Sequence, residues 1–482
     1  MPADQQRLRR SHIPRPKPGI VHLGLGAFFR AFGAVYVEDA VRVSGGDWGI
    51  IGVSLQSAGT RDALAPQDFV YWTVTQGADG SETFRKVEIL HDVLVAPEDP
   101  EAVLAQMADP AIRIVTLTVT EKGYCHDPAT GKLNLGHPDI VHDLQQAMPR
   151  SAPGFLVRAL QRRRAAGHPP FTVLTCDNLP ENGRLVRSIV LEFARHIDAS
   201  LAAWIEAEGR FPSTMVDRIT PATKQEDIQR LAQKTGIRDE APVLCEPFRQ
   251  WVVEDDFVPA YGANAHPDLV AAGVELVADV TPYEHMKLRM LNGTHSSLAY
   301  LGYLAGHETI ADTVSDPVFA AFVQRLWGQE IIPSFEAPEG VELADYAGAL
   351  FERYSNPAIR HRTWQIAMDG SQKLPQRILG TIADNLEAGR KSPGLMLAVA
   401  AWMRYVGGTD ERGEPIDVKD PLAGRLRGLS DAAGTPDEKV AALLGVREIF
   451  EAGLAAQMAE PVRRSYELLC RVGARRAVEE IL

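Results

Sequence analysis

The chain has 482 residues, of which 45% are hydrophobic and 23% charged, so it is long enough for two or three domains at roughly 150 residues each. It carries 50 Lys and Arg against 63 Asp and Glu, and this net charge of −13 disfavours binding to nucleic acid or to an anionic membrane. Four cysteines without a CxxC pair, and no apolar run near the roughly 20 residues of a membrane span, predict a cytoplasmic protein with no disulfide framework.

The first half of the chain predicts alternating strands and helices. The basic N-terminus is interrupted by prolines at positions 14, 16 and 18 before the apolar core of a signal peptide can form. Beyond it, strands are expected at residues 20–23, 48–53, 69–74, 112–118 and 171–174, and helices at residues 28–43, 153–165 and 183–195. Such alternation is typical of an α/β fold with a mostly parallel sheet covered by helices on both faces.

The second half predicts helices. From about residue 281, long amphipathic segments dominate and strand-like runs nearly vanish. The segments are residues 282–304, 316–329, 343–354, 374–388, 395–405, 436–452 and 462–482. This change of pattern places a domain boundary near residue 280.

A Gly24-x-Gly26 turn follows the first predicted strand and precedes the first predicted helix. In dinucleotide-binding turns, glycines let backbone N–H groups approach a pyrophosphate at the helix N-terminus. Phe29 stands where GxGxxG would place its third glycine, so a plain strand-to-helix turn is the alternative. After the second strand, residues 54–57 offer no carboxylate and Asp62 is the nearest one, which leaves the choice between NAD and NADP open.

The helix predicted from residue 282 carries the strongest group of candidate residues, Lys287, Asn292 and His295. At about 100° per residue, His295 lies about 80° and Asn292 about 140° around the helix from Lys287, so all three can face one cleft. Neighbouring methionines and leucines favour burial of Lys287, and burial lowers a lysine pKa from about 10.4 towards neutrality. The neutral amine can then act as a general base; a solvated surface lysine is the alternative.

Asn178 follows the strand predicted at residues 171–174, where open α/β sheets place functional side chains. Its amide and that of Asn292 are both able to donate hydrogen bonds to an oxygen that gains negative charge. The alternative is an ordinary turn asparagine. The sequence has no HExxH motif, so nothing in it requires a metal.

Six segments resemble, in order along the chain, the polyol-specific long-chain dehydrogenases, which form the mannitol dehydrogenase family. They are GLGAFFRA at 24–31, TVTEKGY at 118–124, CDN at 176–178, MVDRITP at 215–221, CEPF at 245–248 and KLRMLNGTH at 287–295. Within the family, residues 356–377 (NPAIRHRTWQIAMDGSQKLPQR) are most similar to the fructuronate reductases, which interconvert D-mannonate and D-fructuronate. Gln365 stands where mannitol 2-dehydrogenases tend to carry an arginine.

The resemblance implies a Rossmann-type dinucleotide-binding domain over residues 1–280 and a mainly α-helical substrate and catalytic domain over residues 281–482. A nicotinamide, NAD with NADP as the alternative, would meet a linear sugar acid or polyol in the cleft between them. The implied activity is hydride transfer between D-mannonate and D-fructuronate, with a lysine general acid/base and no metal. The implied partner is a small-molecule substrate, with neither nucleic acid nor membrane, and the implied assembly is a monomer or weak oligomer.

Matching motif positions imply a role for each candidate residue. Lys287 would be the general acid/base, and His295 would orient the substrate. Asn178 and Asn292 would donate to the reacting oxygen. The remaining implied roles are substrate binding by Asp217 and Lys373, a substrate carboxylate site at Lys373, Arg360 or Arg362, a proton path bordered by Glu121, and cofactor binding by Gly24, Gly26, Ala27, Phe28, Phe29 and Arg30.

One motif departs from the family pattern. Members carry histidines in the form GxGxFHRAH, whereas this chain has Phe29 and Phe32 at the two places. If those histidines contact cofactor or substrate, the affinity or specificity of this chain differs from theirs. Oxidation of mannitol, arabinitol or sorbitol and reduction of tagaturonate are the alternative activities, and a non-catalytic dinucleotide-binding protein is the alternative outside enzymes.

Overall fold

The computed structural model describes residues 6–11, 14–127 and 130–482, which form two compact units. The first unit ends at Thr281, and the second comprises Pro282–Leu482. The strands, all in the first unit, are β1 (Gln6–Arg7), β2 (Pro18–Leu23), β3 (Gly49–Ser54), β4 (Tyr71–Gln76), β5 (Glu82–Val87), β6 (Leu90–Val95), β7 (Ile114–Leu117), β8 (Thr172–Thr175), β9 (Thr214–Asp217), β10 (Ile237–Arg238), β11 (Val243–Cys245), β12 (Gln250–Glu254) and β13 (Glu275–Val277).

Helices connect these strands. They are α1 (Ala27–Ala31), α2 (Gly33–Ser44), α3 (Gly59–Leu64), α4 (Pro100–Ala108), α5 (Thr120–Gly123), α6 (Pro138–Gln145), α7 (Ala152–Ala165), α8 (Asn182–Ile197), α9 (Ala199–Glu208) and α10 (Gln225–Thr235), with 3₁₀ turns at Ala65–Gln67 and Pro259–Asn264.

Five strands form one parallel sheet in the order β6-β3-β2-β7-β8. Alternate residues of its strands pack into two separate cores, since Val21 and Leu23 belong to one apolar cluster and Ile20 to the other. Burial on both faces explains why these strands read as continuous apolar runs. The strand order reverses between β2 and β7, and doubly wound sheets bind dinucleotides at the carboxyl ends of strands at such a reversal. The predicted Rossmann-type α/β fold is confirmed.

The strands predicted near residues 20–23, 48–53, 112–118 and 171–174 are the central and edge strands β2, β3, β7 and β8 of this sheet. The strand predicted at 69–74 forms as β4, but in a separate three-stranded sheet with β5 and β11. Prediction missed β6, the other edge of the main sheet, because its polar residues at positions 91 and 92 interrupt the apolar pattern.

The continuous helix predicted at residues 28–43 is wrong. It is broken at Phe32, whose backbone has φ −120° and ψ −87°, so α1 and α2 are separate helices. A Cβ on Gly33 would lie 2.4 Å from the ring of Phe29, which shows how tightly the break is packed. Helical periodicity alone cannot reveal such a break, because it depends on side chains that pack across it.

The second unit is helical over its described length. Its elements are α11 (Thr281–Met286), α12 (Thr294–Leu304), α13 (Ile310–Ser315), α14 (Pro317–Arg325), α15 (Leu343–Tyr354), α16 (Thr363–Ile366), α17 (Gly370–Leu374), α18 (Gly380–Glu387), α19 (Pro393–Val406), α20 (Ala423–Ala432), α21 (Pro436–Leu444), α22 (Ala452–Val472) and α23 (Ala474–Glu480), a 3₁₀ turn at Ile332–Ser334, and three π-helical segments at Lys287–Gly293, Leu326–Ile331 and Pro375–Leu379.

Helix α19 forms the centre of this unit, with nearly every residue buried, and it packs against α12 and α22. The predicted helix 343–354 coincides with α15, whereas the continuous helices predicted at 436–452 and 462–482 are wrong. The chain leaves α21 after Leu444, and Gly473, with φ +79°, separates α22 from α23. Within the described ranges, no helix is long and apolar enough to cross a bilayer.

Candidate active site

The loop after β2 has the geometry of a dinucleotide turn. Gly24 has φ +89°, and a Cβ there would lie 2.2 Å from the carbonyl oxygen of Thr118, so glycine is required. Gly26 is exposed, and a Cβ there would meet no atom closer than 3.8 Å. Gly26 also caps α1 without a side-chain hydrogen bond, which leaves space for a phosphate beside the first backbone N–H groups.

His22 stabilises this turn through hydrogen bonds to two threonine hydroxyl groups. Its Nδ1 lies 2.8 Å from Thr116 Oγ1, and its Nε2 lies 2.9 Å from Thr118 Oγ1. Because the Thr118 hydroxyl donates to the carbonyl of Gly24 at 2.9 Å, it accepts from Nε2–H, and the Thr116 hydroxyl donates to Nδ1. Burial lowers the pKa of His22 to about 3, so the imidazole is neutral, as this arrangement requires.

Phe29 and Phe32, at the two positions of the family histidines, are both fully buried in the first unit. The ring of Phe29 stacks on His22 with centroids 3.4 Å apart, and the ring of Phe32 packs against both Tyr36 and Trp251. The two phenylalanine side chains are therefore core residues under the turn. The part of this segment that is open to a ligand is Gly26 and the partly exposed residues 27 and 28.

Arg30 is also packed inside the first unit. Its guanidinium donates to the carbonyl oxygen of Ala241 at 2.6 Å and lies over the ring of Tyr71, whose hydroxyl donates to the carbonyl of Arg30. These contacts anchor α1 to a neighbouring loop. Asp62, the carboxylate nearest to the end of β3, lies in helix α3. Its side chain accepts a hydrogen bond from Arg61, which also binds Glu98.

Asn178 lies in the loop after β8, exposed within the first unit. The preceding residue, Asp177, anchors the loop by accepting hydrogen bonds from the backbone N–H groups of Val119 and Thr120, at 2.9 and 3.0 Å, and from the hydroxyl of Tyr124 at 2.7 Å. Burial raises the pKa of Asp177, whereas these hydrogen bonds lower it. The loop that carries Asn178 is thus tied directly to the start of α5.

Two further predicted residues stand at ends of elements in the first unit. Glu121 is the second residue of α5, next to Thr120, which has φ +63° and whose N–H binds Asp177. Its charge acts on His126, whose pKa is lowered by burial and raised in part by Glu121. Asp217 is the last residue of β9 and is 3% exposed.

Lys287, Asn292 and His295 are all buried in the second unit, at 7, 8 and 6% exposure. Lys287 opens the π-helical segment Lys287–Gly293, and Asn292 lies five residues later in it. A π-helix repeats its hydrogen bonds from i to i+5, so these two residues fall on one side of the helix, closer than the 140° expected for α-helical spacing. Single π turns of this kind occur frequently at functional sites.

Side chains from other helices satisfy the carbonyl groups of this π segment. Trp327 Nε1 donates to Met290 O at 3.0 Å, and the Tyr354 hydroxyl donates to Leu291 O at 2.7 Å. The Ser297 hydroxyl donates to Gly293 O at 2.9 Å. Three side-chain donors therefore stabilise a backbone conformation that is rare in proteins. Two of them come from distant helices, and Ser297 comes from the following helix α12.

Two buried polar atoms of the group Lys287, Asn292 and His295 are available to bind a ligand. Among the described residues, neither Asn292 Nδ2 nor His295 Nε2 has a hydrogen-bond partner, although both are buried. The ring of His295 contacts those of Tyr354 and His361, with centroids 5.4 and 4.6 Å away. Burial lowers the pKa of His295 well below its ordinary value, and the neighbouring His361 and Arg377 lower it further, so the imidazole is neutral.

Lys373 lies on α17 and donates to the carbonyl oxygen of Met368 at 2.6 Å. Burial and the charge of Arg377 lower its pKa to about 8, against the attraction of Asp369 and Asp420. Burial lowers the pKa of His361 to about 4, and the charges of Lys373 and Arg377 contribute to this shift. Two cations therefore lie near His361. The sequence predicted a role for Lys373 but none for Arg377.

Arg360 and Arg362 flank His361 in the chain. Their guanidinium groups are exposed and approach Glu308 Oε1 at 3.9 and 3.2 Å. His361 and Arg377 lie within the family-like segment 356–377, but the sequence predicted no role for either. The only signal for them was their position in that segment, because neither a periodicity nor a motif marks them.

No group of three or more His, Cys, Asp and Glu side chains placed to hold a metal ion occurs among residues 6–11, 14–127 and 130–482.

Comparison with known proteins identifies the family to which the chain belongs. The family described as the mannitol dehydrogenase Rossmann domain matches residues 18–262, and the mannitol dehydrogenase C-terminal domain matches residues 279–470. YdfI of Escherichia coli (strain K12), an uncharacterized oxidoreductase, is 49% identical over 436 residues, which are 90% of this chain and 88% of YdfI. The D-mannonate oxidoreductase of the same strain is 47% identical over 466 residues, 95% of this chain and 94% of that protein.

A solved structure matches over nearly the full chain. It is the ternary complex of Pseudomonas fluorescens mannitol 2-dehydrogenase with NAD and D-mannitol. It is 37% identical in sequence, with a TM-score of 0.87, over 99% of this chain and 97% of that one.

Proposed function

Since the chain belongs to the mannitol dehydrogenase family, whose members are oxidoreductases acting on CH–OH groups, we propose that it interconverts D-mannonate and D-fructuronate with NAD(H). The observation that carries the choice of a sugar acid is Lys373. Its ammonium is partly buried and donates to backbone carbonyls, and no described carboxylate lies within ion-pair distance of it. A desolvated cation of this kind is stabilised by a substrate carboxylate.

The first unit fits a dinucleotide. The backbone at Gly24 is open only to glycine, the cap position at Gly26 is free of side-chain atoms, and the turn lies where the strand order reverses. We assign cofactor binding to this unit and the acid/base group to the second. When bound, the nicotinamide accepts a hydride in the oxidative direction and supplies one in the reductive direction.

In oxidation, neutral Lys287 Nζ takes the proton of the substrate hydroxyl, and in reduction its ammonium returns that proton to the new alkoxide. Asn292 Nδ2, which is buried and has no partner among the described residues, donates a hydrogen bond to this oxygen as negative charge develops. Asn178 keeps its predicted role as a second donor. His295, neutral because of its burial, orients a substrate hydroxyl, and Asp217 binds another.

The test is a panel of fructuronate, tagaturonate, fructose and mannitol, each assayed with both nicotinamides. Losing one charge-assisted hydrogen bond costs about 1.5 to 3 kcal/mol, and each 1.4 kcal/mol or so is a factor of ten. Because an unpaired Lys373 adds to that cost, we expect kcat/KM for fructuronate to exceed that for fructose by at least about 100-fold. Lys373→Met should reduce this ratio, mainly by lowering kcat/KM for fructuronate.

Mannitol 2-dehydrogenase activity is the second candidate, because the solved mannitol 2-dehydrogenase superposes over nearly the full chain. Equal or faster reduction of fructose by the wild type would replace the proposed substrate with mannitol. Failure of all four compounds to change the NADH absorbance would favour a binding protein without this activity.

A further inference from the structure

Arg377 is a second cation in the second unit that lacks an acidic partner. Its Nη1 donates to Ser296 Oγ at 3.2 Å, and its guanidinium forms no ion pair with any Asp or Glu in the described ranges. Desolvation lowers its pKa from the ordinary value, although the guanidinium stays charged. Withdrawing such a charge from water is costly unless an anion compensates it, so the residue is unexplained by the fold alone.

The position of Arg377 ties it to the proposed reaction. Its segment, Pro375–Leu379, is π-helical and packs against the π segment that carries Asn292. The two backbones are close enough that a Cβ on Gly293 would lie 2.5 Å from the carbonyl oxygen of Arg377. Ser296, which accepts from the guanidinium, directly follows His295 in the chain.

Electrostatic effects place the guanidinium near the same group of side chains. Burial and then positive charge lower the pKa values of His295, His361 and Lys373, and Arg377 is one of the charges that act on all three. Lys373 and Arg377 repel each other, and neither lies within ion-pair distance of a described carboxylate, so an anion bound beside them would be stabilised by both charges.

We propose that Arg377 binds the carboxylate of the substrate beside Lys373 and thereby determines the preference for sugar acids over neutral polyols. This inference rests on the proposed function. A guanidinium offers a planar fork of N–H donors that matches both oxygens of a carboxylate, whereas a lysine supplies a point charge. The exposed Arg360 and Arg362, which lie against Glu308, are not needed for this contact.

The test compares Arg377→Gln and Arg377→Lys with the wild type. Arg390→Gln is the matched control, because Arg390 is a partly buried arginine of the same unit whose Nε donates to Asn385. For each protein, kcat and KM are measured with fructuronate and with fructose, and folding is checked by the melting temperature and by the Kd for NADH.

We expect Arg377→Gln to lower kcat/KM for fructuronate about 10- to 100-fold, equivalent to about 1.4 to 2.8 kcal/mol, mainly by raising KM. The value for fructose should change less than about threefold. Arg377→Lys keeps the charge but loses the fork, so it should recover part of the acid activity and remain below the wild type. Arg390→Gln should match the wild type.

The outcomes separate the two claims. A wild type that prefers fructuronate, together with a folded Arg377→Gln that keeps the full preference, overturns the role of Arg377 and leaves the proposed function standing. If Arg377→Gln does not fold, a folded Arg377→Lys with unchanged preference overturns it in the same way. A wild type that prefers fructose refutes the proposed function itself and the carboxylate site with it.

Discussion

Tyr354→Phe tests whether the π-helical geometry of Lys287–Gly293 serves the chemistry. The Tyr354 side chain is 3% exposed, and its hydroxyl donates to Leu291 O at 2.7 Å. Phenylalanine keeps the ring, which stacks on His295 and on Trp327, but removes this donor from a buried carbonyl. Leu291 O also accepts from the backbone N–H of Thr294, so the variant loses one of its two hydrogen bonds, which costs about 0.5 to 1.5 kcal/mol. For a unit of this size, each kcal/mol lowers the melting temperature by about 2 to 4 °C.

The same change should affect catalysis. A π turn that loses one of its side-chain donors relaxes towards α-helical spacing, which rotates Asn292 away from Lys287. Since a displacement of about 1 Å costs a rate factor on the order of 100, we expect kcat to fall at least about tenfold. The assay is NADH oxidation with fructuronate under conditions where chemistry limits the rate, with the Kd for NADH measured in parallel.

Tyr405→Phe is the matched control. Tyr405 is 1% exposed, and within the described part of the chain its hydroxyl has no hydrogen-bond partner, so removing that hydroxyl breaks no bond. This variant should keep the wild-type kcat. A Tyr354→Phe protein that is destabilised as expected but retains the wild-type kcat and KM would refute the link between the π turn and catalysis.

Two further predictions concern the lysines. Lys287→Ala should lower turnover by about 10² to 10⁴ while NADH still binds; a variant with more than half of the wild-type turnover contradicts its role as acid/base. Because the pKa of Lys373 is about 8, its ammonium is present below that pH and lost above it. We therefore expect kcat/KM for fructuronate to decline above pH 8 more steeply than for fructose, and Lys373→Met to abolish that difference.

Local patterns predicted much of the fold. Buried parallel strands need apolar runs of a few residues, so β2, β3, β7 and β8 were readable directly, within one or two residues at most ends. The strands β9 and β11 to β13 of the small sheets were not predicted, and their pairing joins segments that are not adjacent in the chain. The same limit explains why a strand near residue 70 was expected in the main sheet and lies in another.

The candidate site divides in the same way. Lys287, Asn292 and His295 were identified from one segment, and the burial of Lys287 was expected from its apolar neighbours. Their arrangement was not predictable, because the π turn is held by Trp327 and Tyr354, which reach it from other helices.

By itself, the sequence determined the fold class, the position of the glycine turn and the segment that carries the candidate acid/base, because these depend on residue types at short spacing. Only the tertiary structure decided which side chains outside that segment are buried. It buried Phe29 and Phe32 in a core, left Arg360 exposed, and placed Arg377 against Ser296 across 81 residues of chain. Desolvation and unpaired charge arise from contacts between distant segments, and no local pattern encodes those contacts.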